Sequence, residues 1–141
     1  FHPLGSRGMW PSRQSYGVED YYKKANDETL VIVLIEDIVA VNNLAEILTV
    51  DNIDVFHVAP GDLAQSMGHK DQLRHPEVLE TIDRAIEQII AAGRVAGTQA
   101  ADDTVEDHIN KSVRFVTRNW HGWLMSGAGA FLEKLKTASK F

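Results

Sequence analysis

The chain has 141 residues, with 14 Lys and Arg against 20 Asp and Glu, and no cysteine. Its net charge of −6 argues against nucleic acid as the main partner, because phosphate binding wants a basic face. The lack of cysteine excludes a disulfide framework, a thiolate nucleophile and any Cys-ligated zinc or iron–sulfur site, and no apolar run approaches the ~20 residues that cross a bilayer.

Apolar residues make up 44% and charged residues 24%, so one soluble domain of cytoplasmic type over residues 1–141 is the simplest expectation. No charged n-region followed by an apolar h-region opens the chain. It begins at Phe1, with its first methionine at Met9, which reads as a processed, cleaved or incomplete chain.

Residues 1–13 (FHPLGSRGMWPSR) are rich in Pro, Gly and Ser and follow no period, so they read as a loop. Val18 to Asn26 reads as a short helix, with acids near its start and lysines near its end to suit the helix dipole. Leu30 to Ile35 (LVIVLI) is a continuous apolar run, the pattern of a parallel strand buried on both faces. Ile38 to Val50 follows as a helix, with Val41, Leu44, Ile47 and Leu48 at helical spacing. Ile53 to Val58 is a second strand, which the Pro60-Gly61 turn ends abruptly.

His75-Pro76-Glu77 opens the clearest helix, with Val78, Ile82, Ala85, Ile86, Ile89 and Ile90 as its apolar stripe and Gly93 as its stop. Arg94 to Thr98 is a weaker strand, Thr104 to Asn110 a short helix and Val113 to Thr117 a fourth strand. Gly122 to Ser139 closes the chain as a helix, with Leu124, Phe131, Leu132 and Leu135 on its apolar side. A strand–helix order repeated four times implies an α/β fold with parallel strands and right-handed crossovers. Four such units make half of a TIM (β/α)8 barrel, or a small open sheet.

Ligands of parallel α/β folds sit at the carboxyl ends of the strands. Glu36 directly follows the first strand, and Asp62 lies four residues past the second. Together they suit a hard divalent cation such as Mg2+ or Mn2+ that keeps positions open for water and substrate oxygens. Plainer uses stand beside this one: Glu36 and Asp37 at a helix start, Asp62 in an Asx-type turn. The Ala59-Pro60-Gly61-Asp62-Leu63 turn exposes backbone N–H groups that can seat a carboxylate or phosphate, although most Pro-Gly turns only reverse the chain.

The six histidines carry less. His75 precedes a helix-starting proline, and His57 sits inside a strand pattern as a structural histidine. His2, His69, His108 and His121 share no metal-ligand spacing. Gly127-Ala128-Gly129 reads as helix–helix packing, Trp10, Trp120 and Trp123 as core or subunit contacts, and Arg7 as a solvated or structural residue.

Read together, GSRG at 5–8, YYKKAND at 21–27, VLIED at 33–37, NNLAEIL at 42–48, APGDLAQSMG at 59–68, HPEV at 75–78 and AAGRVAG at 91–97 resemble the HpcH/HpaI aldolase family of metal-dependent class II pyruvate aldolases. Their order matches barrel units five to eight, so the resemblance implies the C-terminal half of the barrel. It implies cleavage of 4-hydroxy-2-oxo acids to pyruvate and an aldehyde. It makes Glu36 and Asp62 ligands of a divalent cation (Mg2+, Mn2+ or Co2+), and the Ala59, Pro60, Gly61 and Asp62 segment the seat of the pyruvate carboxylate. The family's catalytic histidine and keto-contacting arginine belong to the first half of the barrel and have no counterpart here, so no catalytic residue is assigned. Ala59 and Ala64 replace the family's usual glycine and serine, and Arg118-Asn119-Trp120-His121 replaces a smaller, glycine-rich stretch.

An open half-barrel exposes strand edges and an apolar inner face. Association with a missing half-barrel or in a homo-oligomer is therefore expected, with no nucleic acid or membrane partner. The competing readings are a non-catalytic half-barrel that binds a metal and an oxo acid, a citryl- or malyl-type lyase, and a structural assembly protein.

Overall fold

The strand–helix rhythm produces a parallel sheet flanked by helices, seen in a computed structural model that describes residues 3–6, 8 and 15–138. Most of the opening loop, including His2, Arg7 and Trp10, lies outside the described residues. In chain order the elements are α1 (Tyr21–Glu28), β1 (Ile32–Ile35), α2 (Ile38–Asn42), α3 (Leu44–Ile47), β2 (Val55–Val58) and α4 (Pro60–Ser66). They continue with α5 (Pro76–Ala91), β3 (Ala96–Gln99), α6 (Val105–Asn110), β4 (Phe115–Thr117) and α7 (His121–Ala138). The strands pair in the order β1-β2-β3-β4, all parallel, as the alternation predicts.

Register separates the two faces of the sheet. Val33, Phe56 and Ala96 form one row and Ile35, Val58, Thr98 and Val116 the next, and these rows face the helices. They pack against Leu44, Leu63, Val78, Ile82, Ala85, Ile86 and Ile89, which are buried. Thr98 adds a hydroxyl to this core and satisfies it by donating to the Val58 carbonyl at 3.0 Å. The opposite rows carry Leu34, His57, Gly97 and Phe115 on the inner face.

That inner face corrects one expectation. The LVIVLI run is buried on one face only: Ile35 is 2% exposed, while Leu34 is 55% exposed and Leu30, Val31 and Ile32 are also open. β1 is an edge strand, and no layer covers its inner side among the described residues.

Helix α5 follows the predicted stripe, burying Val78, Thr81, Ile82, Ala85, Ile86 and Ile89, with Ile90 half-buried. Pro76 occupies its first turn, where its missing N–H costs nothing, and His75 caps it. At its end Gly93 adopts φ 72°, and Arg94 N and Gly93 N donate to Ile89 O and Ile90 O at 3.1 and 2.9 Å. These paired bonds satisfy carbonyls the helix leaves open and need the left-handed residue that glycine supplies.

Other expectations change. The predicted helix over Ile38–Val50 divides at Asn43 into α2 and α3, because Asn43 takes φ −98°, ψ 11° and so steps out of helical geometry. Helix α1 starts at Tyr21, so Lys23 and Lys24 fall in its first half and no basic residue reaches its last turn. The expected match to the helix dipole is therefore not made. Helix α7 buries no residue, and Leu124, Phe131, Leu132 and Leu135 stay about half exposed. Nothing lies within 4 Å of where a Cβ on Gly127 or Gly129 would stand, so the expected helix–helix packing is not made within the described residues.

Candidate metal and carboxylate site

Parallel pairing brings the two candidate acids to one edge of the sheet. Ile35 pairs with Val58, and Ala59 N donates to Ile35 O at 3.1 Å, so the next residue of β1, Glu36, comes level with Ala59. Val58 pairs with Thr98 and Gln99 with Thr117, which extends the same upper row to Ala59, Gln99 and Thr117. Strand alternation places this row on the inner face, above Leu34, His57, Gly97 and Phe115.

The plainer use of the acids is taken by a neighbour. Asp37 is the N-cap of α2, and its Oδ1 accepts from Val39 N at 2.7 Å. Glu36 is left out of the cap, half-buried, and among the described residues its carboxylate has no hydrogen-bond or ion-pair partner. Asp62 is not an isolated turn residue. The Pro60-Gly61 turn continues directly as α4, and Asp62 stands exposed in its first turn, likewise without a side-chain partner among the described residues.

Backbone geometry at the start of α4 narrows the anion seat. Ala59 N–H is used by the sheet, Pro60 has none, and Leu63 N already donates to Ala59 O at 3.1 Å. Gly61 and Asp62 therefore hold the N–H groups without intrahelical acceptors. Nothing lies within 4 Å of a Cβ position on Gly61, so the approach to these amides is open. Ala64, by contrast, is fully buried, so the change from serine there alters packing under α4 and not the face of the site.

Ser66 is the residue that sequence reasoning missed. Its Oγ accepts from Ile38 N at 3.0 Å and donates to Leu63 O at 2.8 Å. One hydroxyl thus ties the end of α4 to the start of α2, joining the elements that carry Asp62 and follow Glu36. No local pattern announces this bond, because its partners are 28 residues apart.

Below the upper row lies His57, 6% exposed on the inner face. Its Nε2 meets Thr117 Oγ1 at a long 3.4 Å, its ring stands edge-on to Phe115 at 5.9 Å, and its Nδ1 has no hydrogen-bond partner among the described residues. Burial lowers its pKa and favours the neutral ring. The expected hydrogen bonding of a structural histidine is met here by one long contact alone.

At the far strand, Arg118 lies 3.4 Å from Asp102 and 5.7 Å from the Trp123 ring centre, while Trp120 stacks on His121 at 4.1 Å. Trp120 and Trp123 remain more than half exposed, so neither is a core residue of this chain. Two of the histidines also come together: His69, which shares no metal-ligand spacing with the others, stacks on His75 at 3.8 Å, and His69 Nε2 lies 2.9 Å from Glu77 Oε2. His75 keeps its expected place at the helix start as well, accepting from Glu77 N at 3.3 Å.

Comparison with known proteins bears on the family and the fold. The family model HpcH/HpaI aldolase/citrate lyase matches residues 2–129. A 2-keto-3-deoxy-L-rhamnonate aldolase of Klebsiella pneumoniae is 38% identical over 111 residues, which cover 76% of this chain and 42% of that protein. A hydroxypyruvate/pyruvate aldolase of Cupriavidus necator is 39% identical over 111 residues, covering 72% of this chain and 39% of that protein. Among solved structures, an HpcH/HpaI aldolase/citrate lyase family protein of Burkholderia cenocepacia superposes with TM-score 0.77 at 27% identity, over 95% of this chain and 54% of its own. The citrate synthase SbnG shares the fold, with TM-score 0.76 at 23% identity over 86% of this chain and 51% of its own. The chain thus spans about two fifths of the curated relatives it matches and about half of the solved structures. It belongs to the HpcH/HpaI aldolase/citrate lyase family, and its four βα units make about half of that family's TIM-type barrel.

Proposed function

We propose that this chain carries the metal- and carboxylate-binding part of a class II pyruvate aldolase, which cleaves 4-hydroxy-2-oxo acids to pyruvate and an aldehyde. The observation that carries the reading is the pair of carboxylates, Glu36 and Asp62, without side-chain partners among the described residues, at the carboxyl ends of neighbouring parallel strands. An oxygen-only donor pair fits a hard divalent cation of the Mg2+, Mn2+ or Co2+ kind, with positions left for water and substrate. Bound there, the cation supplies Lewis-acid polarisation of the 2-oxo group.

The residues of the chain have separate tasks. Glu36 and Asp62 hold the cation. The Gly61 and Asp62 amides receive the pyruvate carboxylate, and Pro60 and Ala59 set their position at the end of β2. Asp37 and Ser66 fix the helices on either side, so the acids meet substrate in a preset arrangement. The proton-transfer groups come from outside this chain.

The open inner face around Leu34 favours pairing with the complementary half of a barrel or assembly with further copies. No helix among the described residues is long and apolar enough to cross a membrane, and we assign the chain to the cytoplasm.

The test is exchange of the pyruvate methyl protons in D2O, followed by NMR, with Mg2+ or Mn2+ and against a chelated control. With the complementary half-barrel or a further copy supplying the proton-transfer groups, metal-dependent exchange lost in Glu36→Gln is the expected result. The chain by itself is expected to bind pyruvate in a metal-dependent way without exchange. Divalent-cation affinity unchanged by Asp62→Asn would overturn the site. The family description also covers citrate lyase, and turnover of acyl-CoA esters in place of 4-hydroxy-2-oxo acids would move the assignment to that chemistry.

A further inference from the structure

The stacked histidines lie outside the carboxylate site and have a different chemistry. Helix α4 ends at Ser66 with Met67 as its cap, and the φ of 83° at Gly68 lets His69 N reach back to Ala64 O at 2.8 Å. The chain then turns twice, with Gln72 N on His69 O at 3.0 Å and His75 N on Gln72 O at 2.9 Å. Asp71, at φ 61°, makes this return possible. The result sets His75 and Glu77, at the start of α5, against His69, at the end of α4.

One donor atom from each of His69, His75 and Glu77 lies within 4.8 Å of the others. The imidazoles are parallel within 18°, and His69 Nε2 lies at hydrogen-bond distance, 2.9 Å, from Glu77 Oε2. The His69 side chain is 21% exposed and that of Glu77 65%, so the cluster has a sheltered side and an open one.

We propose that His69, His75 and Glu77 form a second metal site that takes a late first-row divalent cation of the Zn2+ type. Two imidazole nitrogens and one carboxylate oxygen suit zinc, copper or nickel, whereas Mg2+ takes oxygen ligands. Three protein ligands with the fourth position facing solvent is a familiar open zinc arrangement. The cation takes the place of the hydrogen between His69 Nε2 and Glu77 Oε2, and the neutral imidazole then carries its one N–H on Nδ1.

The donors lie within 4.8 Å of one another, against the roughly 3.4 Å separation implied by zinc–ligand bonds of about 2.1 Å. Binding asks the side chains to rotate out of the stack, and the long 3.3 Å cap from Glu77 N to His75 Nδ1 is a weak bond to give up. A cation held here staples the α4–α5 connection, and with it the helix that carries Asp62. The inference does not depend on the proposed aldolase reaction.

The experiment is a Zn2+ titration of the chain against a chromophoric chelator, in a Glu36→Gln, Asp62→Asn background that disables the other pair. One Zn2+ equivalent is expected in that background. It should weaken at least about tenfold in His69→Gln, in Glu77→Gln and in His75→Asn, the last of which keeps a capping acceptor. Co2+ in place of Zn2+ should give visible absorption bands that vanish in the same variants. Circular dichroism identifies any variant that fails to fold, and the remaining substitutions then decide. Absence of a Zn2+ equivalent in the background chain would overturn the proposal, as would full Zn2+ retention in folded His69→Gln or Glu77→Gln.

Discussion

Gly97 sits on the inner face between β2 and β4, and replacing it by alanine tests the packing beneath the site. A Cβ there would stand 2.9 Å from His57 Nδ1, 3.0 Å from Val55 Cγ1 and 3.1 Å from the Phe115 carbonyl oxygen. The first two neighbours are side chains and can shift by a few tenths of an ångström. The third belongs to the backbone of a paired strand and cannot move without stretching the β3–β4 ladder. Overpacking of this kind costs about 1–3 kcal/mol. Against it stands the lower unfolded-state entropy of alanine, worth about 0.4–1 kcal/mol.

The balance is a net loss of roughly 1–2 kcal/mol from Gly97→Ala. Urea unfolding should show a lower midpoint at unchanged slope, and heating a transition lower by roughly 3–8 °C. Adding His57→Ala should recover part of the loss, because it removes the nearest obstacle while leaving the carbonyl. Equal or greater stability in Gly97→Ala would refute the close approach at this position. Additive effects of the two substitutions would refute the contact with His57.

Further measurements bear on the rest of the structure. Ile86 is fully buried between α5 and the sheet, so Ile86→Ala should cost about 2–5 kcal/mol in urea unfolding. A loss under 1 kcal/mol would mean that α5 does not seal this core. Ser66→Ala leaves the half-buried Ile38 N–H without its acceptor and should cost about 1–3 kcal/mol, with Ser66→Thr expected to recover part of it.

Burial lowers the pKa of His57 and of His108, so below the ordinary histidine value of about 6.5 the unfolded chain binds more protons than the folded one. Stability should therefore be level above that pH and decline as pH falls below it. Unfolding curves that fail to weaken in acid, or a pH slope equally steep in His57→Phe, would contradict the assignment for His57.

The order of elements was legible because its signals are local. Apolar runs separated by helical stripes mark βα units, and Pro76 and Gly93 mark the ends of α5. Parallel strands joined this way put all their carboxyl ends on one edge, so the nearness of Glu36 to the start of α4 follows from chain order.

Other features depend on what packs against what. The LVIVLI run has the same composition whether one face is covered or two, and only the sheet shows that its inner face is open. Asn43 breaks a helix that apolar spacing alone would carry through. The assignment of Asp37 rather than Glu36 to the α2 cap, the Ser66 bond across 28 residues and the meeting of His69 with His75 and Glu77 are likewise matters of tertiary placement. Periodicity along a chain reports which residues share a face, but it carries no information about which side chains from separate elements converge. Convergence is decided by the path of the connections, here by left-handed residues such as Gly68 and Asp71, and by the burial that holds those paths in place.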